Sequence, residues 1–127
     1  MKRMNVVAVG LSLALSLTAL PALASGDAAK GEDIFQKKCQ SCHTAEEGAG
    51  AKVGPNLHGI FGNKSGTGAD YKYSKAMIEA DLVWDEDTLD KYLEKPRSFV
   101  KGTKMSFVGL KKESEREDVI SYLKTLE

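Results

Sequence analysis

The chain is poor in the residues that build metal and disulfide frameworks. Its 127 residues include two cysteines, two histidines and one tryptophan. There is no second cysteine pair, and His58 is the only histidine besides His43, an inventory that does not favour a structural zinc site, which needs four ligands. No alternating run reads as a strand, and without strands there is no βαβ unit of the kind that a thioredoxin-type cysteine pair requires. Neither charge sign is in excess, with 18 Lys and Arg against 18 Asp and Glu. The basic segments lack interleaved aromatics and known nucleic-acid motifs, so nucleic acid is not an expected partner. The longest apolar run, residues 6–20, falls short of the about 20 residues that a membrane-spanning helix needs.

What the N-terminus does contain is a targeting pattern. Lys2 and Arg3 precede the apolar run, and Ala22-Leu23-Ala24 is an A-x-A cleavage site. Residues 1–24 therefore read as a cleaved secretory signal, with export to a bacterial periplasm expected. Residues 25–127 read as a single domain. Losing Lys2 and Arg3 leaves 16 basic against 18 acidic residues, a net charge of −2. The distribution is uneven. Between Glu79 and Glu94 seven acids accompany one base, and from Lys95 to Lys112 there are six bases and no acid. Such a split steers association with charged partners. So short a chain has a limited apolar core of its own.

The two cysteines stand together with one of the histidines, in Cys39-Gln40-Ser41-Cys42-His43. A simple disulfide is one reading in an exported chain. The adjacent His favours another, because Cys-x-x-Cys-His is the attachment signature of c-type haem. Two thiols three positions apart on a helical turn reach the two vinyl groups of one porphyrin. The neighbouring imidazole then turns to the iron. A haem also supplies the buried apolar body that a small domain lacks.

The hydrophobic spacing predicts an all-α domain with long loops. A first helix covers residues 27–38, with Gly31, Ile34 and Phe35 on one face, and runs straight into Cys39. Residues 44–67 form a Gly-rich loop. A short helix spans 74–80, capped by Ser74. A further helix over 85–95 turns Leu89, Tyr92 and Leu93 inward and ends at Pro96. Residues 98–109 read as irregular. Ser114-Glu115-Arg116-Glu117 has the capping-box pattern and is expected to open the last helix, with Val119, Ile120, Tyr122, Leu123 and Leu126 apolar. Loops this long call for something that orders them. Three residues are candidates for the second iron ligand: Met77, Met105 and His58. Met77, in a short amphipathic helix, has core filling as its usual role.

Taken in order, Gly31…Ile34-Phe35, Cys39-Gln40-Ser41-Cys42-His43-Thr44, Gly54-Pro55-Asn56-Leu57-His58-Gly59, Trp84, Tyr92-Leu93, Pro96, Gly102-Thr103-Lys104-Met105 and Arg116-Glu117-Asp118…Tyr122-Leu123 resemble the class I c-type cytochromes over all of 25–127. The resemblance is close to the mitochondrial proteins and their bacterial periplasmic relatives. It implies one covalent haem c, held by Cys39 and Cys42, with His43 and Met105 as axial iron ligands. It further implies that Pro55 accepts from the His43 ring, that Tyr73 and Trp84 donate to a haem propionate, and that Tyr92 and Thr103 lie in the pocket near Met105. Gly31 and Phe35 would pack the first helix across the last, against Val119 and Tyr122.

The implied function is a soluble monomeric electron shuttle and not an enzyme. Lys38, Lys52, Arg97, Lys104, Lys111 and Lys112 would dock on membrane-bound complexes: a quinol–cytochrome c reductase, and a terminal oxidase, reaction centre or other reductase. Four positions depart from the mitochondrial pattern. Asn63 replaces an Arg near the propionates, Met77 a buried Asn, Ala51 a bridging His, and Lys101 the Pro before the Met105 segment.

Overall fold

The computed structural model describes residues 26–127, so the signal segment read over 1–24 lies outside the described residues. Five helices follow in order: α1 (Ala28–Lys38), α2 (Lys75–Glu79), α3 (Glu86–Glu94), α4 (Pro96–Phe99) and α5 (Glu113–Lys124). Among the described residues, β structure amounts to one isolated antiparallel bridge between Lys64 and Val83, and the expected all-α class holds. No helix among them is long and apolar enough to cross a membrane.

Helix α1 starts where the Asp27 carboxylate accepts from the N–H groups of Ala29 and Lys30, satisfying donors that the helix cannot. Lys37 and Lys38 sit in its last turn, where positive charge favours the dipole. The buried face carries Gly31 and Phe35 and crosses α5. The crossing is tight because of the glycine. A methyl on Gly31 would lie 1.9 Å from the Asp118 carbonyl oxygen and 2.8 Å from Cβ of Tyr122. Phe35 and Tyr122 then meet with ring centroids 5.4 Å apart. The Asp27 N–H also donates to the Asp118 carboxylate at 2.7 Å, tying the start of the domain to its last helix.

Ser74 caps α2 through a 3.0 Å bond from the Met77 N–H, as expected. Helix α3 opens on a reciprocal box. Asp85 accepts from the Thr88 N–H at 2.9 Å, and the Thr88 hydroxyl accepts from the Asp85 N–H at 3.0 Å. Its inward residues are the three expected, Leu89, Tyr92 and Leu93.

Two expectations near the C-terminus are corrected. Pro96 ends α3 but also stands at the first turn of α4, so Ser98 and Phe99 are helical. A proline has no N–H to lose at the first helical position, and its fixed φ suits it. The capping box at Ser114 does not form. Helix α5 begins at Glu113, with Lys112 as N-cap and no side-chain cap bond. Ser114 is thus already inside the first turn, where Glu113 and Glu115 complement the helix dipole. Arg116 turns inward and is buried.

Met77, Trp84, Leu89, Tyr92, Leu93, Val100, Leu110, Val119, Ile120 and Leu123 form one core cluster. The long loops fold over it by hydrogen bonds of their own. Leu57 N–H donates to the Thr44 carbonyl at 2.8 Å, and the Asn56 amide donates to the carbonyls of Glu46 and Ala49, both at 2.8 Å. Gly62 and Asn63 pair with Trp84 through bonds of 2.8 and 2.9 Å. These ties leave a cavity between the loops and the core.

Candidate haem site

The five-residue motif is shaped by the end of α1. The N–H groups of Cys39 and Gln40 both donate to the Phe35 carbonyl at 2.8 Å. Those of Cys42 and His43 both donate to the Cys39 carbonyl, at 3.0 and 2.9 Å. The resulting turn sets both thiols and the imidazole on the wall of one cavity of about 320 Å³. Phe35, Leu57, Ile60, Trp84, Leu93 and Leu123 supply apolar wall, and Met105 lines the same space.

His43 Nδ1 lies 2.8 Å from the Pro55 carbonyl oxygen. A carbonyl only accepts, so Nδ1 carries the hydrogen and Nε2 keeps a lone pair. Burial pushes the ring's pKa down, toward the neutral form that binds metal, while the Pro55 carbonyl pulls the other way. Gly54 lies against the ring: a methyl there would come 2.5 Å from Cε1 and 2.8 Å from Nδ1. In the sequence Gly54 is only part of a loop motif. Its packing against His43 depends on a fold in which Gly54 N–H reaches back 2.8 Å to the Cys42 carbonyl.

No disulfide joins Cys39 and Cys42. Burial pushes the Cys39 thiol up to about 11, against a smaller opposing effect of the Lys38 charge.

Tyr73, Trp84, Tyr92 and Thr103 all line the cavity. The Tyr92 hydroxyl and Thr103 Oγ1 are 2.8 Å apart, and the Met105 N–H donates to the same Thr103 oxygen at 3.4 Å. Tyr92 is therefore linked to the Met105 backbone through Thr103. The Tyr92 ring also packs on Trp84, centroid to centroid 5.0 Å. The Tyr73 hydroxyl accepts from the Gly68 N–H at 3.2 Å.

Of the three distal candidates, Met105 and Met77 line the cavity and His58 does not. Met77 is also part of the core cluster, the filling role expected for it. Asn63, which stands where the mitochondrial pattern has an Arg, directs its amide to the Gly59 carbonyl at 2.5 Å and is not part of the wall.

The six bases expected to dock are all exposed. Lys38 and Lys104 reach the cavity rim. Lys38 also lies 3.5 Å from the Glu115 carboxylate. Lys52 donates to the Gln40 carbonyl at 3.0 Å, Arg97 to the Ser106 hydroxyl at 3.2 Å and Lys111 to the Val108 carbonyl at 3.4 Å. Lys104 spans to the Lys72 carbonyl at 2.6 Å, with its ammonium 5.7 Å from the Tyr71 ring centroid. Lys112 is the N-cap of α5.

The donor set suits a haem c. Two thiols at the motif spacing, a neutral imidazole whose Nε2 lone pair is spare, and a thioether sulfur share one apolar cavity. No buried side-chain polar atom among the described residues lacks a hydrogen-bond partner, so an apolar macrocycle would strand none of them.

A profile of the Cytochrome c family matches residues 28–127. Cytochrome c of Chlamydomonas reinhardtii is 55% identical over 100 residues, covering 79% of this chain and 89% of the relative. Cytochrome c of Ginkgo biloba is 52% identical over 99 residues, covering 78% and 88%. Cytochrome c of Kluyveromyces lactis is 48% identical over 98 residues, covering 77% and 89%. These relatives overturn the expected periplasmic location. They are eukaryotic cytochromes c of the mitochondrial type, not periplasmic exported proteins. The chain belongs to the cytochrome c family, as a class I c-type cytochrome that carries one covalently attached haem c and serves as an electron carrier, not an enzyme.

Proposed function

We propose that His43 and Met105 are the axial ligands of the haem iron and that Cys39 and Cys42 form its thioethers. We further propose that the chain shuttles single electrons between membrane-bound redox complexes. One observation carries this reading: His43, oriented by Pro55 with Nε2 spare, and the Met105 thioether line the cavity that also holds both thiols. Bound there, the haem iron supplies a one-electron couple between Fe(III) and Fe(II).

Each residue has a defined part. Pro55 fixes the imidazole plane and tautomer. Met105 offers a neutral, soft sulfur, which favours the reduced state over the oxidised one. With His43 and Met105 both engaged, no position is left for a substrate. Tyr92 and Thr103 hold the Met105 backbone. Tyr73 and Trp84 offer an O–H and an N–H to the propionates.

Lys38, Lys52, Arg97, Lys104, Lys111 and Lys112 present a basic face that fits acidic patches on a quinol–cytochrome c reductase as donor. A terminal oxidase or a photosynthetic reaction centre fits as acceptor. Such encounters are fast, weak and salt-sensitive, and suit a monomer. The test is the absorption spectrum of oxidised protein beside that of Met105→Ala. Wild type should be low-spin with a weak far-red band that the variant lacks. A high-spin wild-type spectrum without that band overturns the ligand assignment.

A further inference from the structure

The segment that carries Met105 leaves α4 at Val100 and reaches α5 at Lys112. Its two roots are held by different means. At the near root the Thr103 N–H donates to the Val100 carbonyl at 3.1 Å, and Thr103 Oγ1 meets the Tyr92 hydroxyl. At the far root the Leu110 N–H donates to the Leu93 carbonyl at 2.8 Å. Gly109, with φ at 97°, lies so close to α3 that a methyl would come 2.0 Å from the Glu94 carbonyl oxygen.

Arg116 adds a third tie at that far root. It is 7% exposed, although the first turn of a surface helix would ordinarily leave a guanidinium in water. Burying that charge is unfavourable unless its donors are well used. Here they are. Nε donates to the Asp90 carboxylate at 2.6 Å, while Nη1 donates to the carbonyls of Leu110 and Lys111 at 2.9 and 3.1 Å. One side chain of α5 thus joins a carboxylate of α3 to the end of the Met105 segment. A plain helix-to-helix ion pair would need only the Asp90 bond. The two bonds to loop carbonyls act on the loop, and charged donors make them stronger than neutral ones.

We infer that Arg116 is a positioning residue for Met105, which it holds at the iron by pinning the far root of the loop against α3 and α5. The inference rests on the reading of Met105 as an axial ligand. Its chemistry is that of a hinge stop: with Arg116 in place, the loop opens rarely, and the sixth position stays closed to outside ligands.

The experiment is imidazole binding to the oxidised holoprotein. Imidazole takes the sixth position only when Met105 has swung away, so its apparent affinity scales with the open fraction of the loop. Arg116→Lys keeps a positive charge near Asp90 but loses the forked reach to the two carbonyls. It should bind imidazole about tenfold more tightly than wild type, with unchanged helix content by circular dichroism. Asp90→Asn, which weakens the anchor but leaves the carbonyl bonds, should give a smaller increase, about threefold. Should Arg116→Lys fail to fold, Asp90→Asn decides alone. Folded variants with wild-type imidazole affinity overturn the role of Arg116. A wild type that lacks the far-red band overturns the Met105 reading itself, and the inference with it.

Discussion

Replacing Gly31 with alanine sets two effects of opposite sign against each other. In an isolated helix the change is favourable, because glycine in a helix interior is about 0.5–1 kcal/mol worse than alanine. At the α1–α5 crossing it is unfavourable. The new methyl would sit 1.9 Å from the Asp118 carbonyl oxygen, whereas carbon–oxygen contacts settle near about 3.3 Å. The two helices would have to part by more than about 1 Å, and gaps of that size forfeit a quarter to a half of each dispersion contact they open. The Phe35–Tyr122 pair and the Asp27–Asp118 bond both span the same crossing. Overpacking of this kind costs about 3 kcal/mol at the upper end of its usual range. Less the propensity gain, Gly31→Ala should lose about 2 kcal/mol, a fall in melting temperature of about 8–16 °C for a domain of this size. Guanidinium and thermal unfolding followed by far-ultraviolet circular dichroism measure this directly. Gly50→Ala is the control. A methyl there meets nothing within 4 Å, and its effect should stay within about 0.5 kcal/mol. A Gly31→Ala protein as stable as wild type, or more so, refutes the crowding argument.

Gly54→Ala should push the His43 ring off the Pro55 carbonyl, since its methyl would meet Cε1 at 2.5 Å. A lowered yield of haem-bound protein, or an altered axial-ligand spectrum, is the readout. The Asp85 carboxylate is held below its ordinary 3.8 by the Thr88 N–H and hydroxyl. Its folded pKa is lower than its unfolded one, so its stabilising effect is complete above 3.8 and fades as pH falls through the depressed value. The wild-type advantage over Asp85→Ala in chemical unfolding should therefore be constant near neutrality and shrink below pH 3.8. Lys112→Glu should slow reduction by a quinol–cytochrome c reductase at low salt and leave the rate at high salt near wild type. Equal rates and equal salt slopes would remove Lys112 from the docking face.

Much of this arrangement was legible from local pattern. Ser74 caps the helix it precedes, Leu89, Tyr92 and Leu93 share an inward face, and the cysteine motif follows directly on α1. Each of these depends on neighbours within a turn or two. What the sequence hid depends on contacts made across the chain. Pro96 reads as a stop from its missing N–H, yet the same absence lets it begin α4. Ser114-Glu115-Arg116-Glu117 has the residues of a capping box. The helix nevertheless starts at Glu113, and Arg116 is drawn to Asp90 and the Leu110 carbonyl, partners that no sequence spacing announces. Gly54 looks like a flexible loop residue until the His43 ring is placed beside it. The periplasmic expectation rested on Lys2, Arg3, the apolar run and Ala22-Leu23-Ala24, a pattern of targeting in general that names no compartment, and the eukaryotic relatives contradict it.

The bond from Asp27 to Asp118 joins residues 91 positions apart, so the α1–α5 crossing closes nearly the whole domain into one loop. Closing a flexible loop of that length opposes folding by about 4 kcal/mol of chain entropy. The two halves of the site lie at opposite ends of it, Cys39 to His43 directly after α1 and Met105 shortly before α5. Ties within the intervening chain, such as Gly62 to the Trp84 carbonyl at 2.8 Å and Lys104 to the Lys72 carbonyl at 2.6 Å, do not join one half to the other. The meeting of the first and last helices therefore brings His43 and Met105 into one pocket. Any change that delays that meeting should delay the assembly of the pocket, even where every residue that lines it is intact.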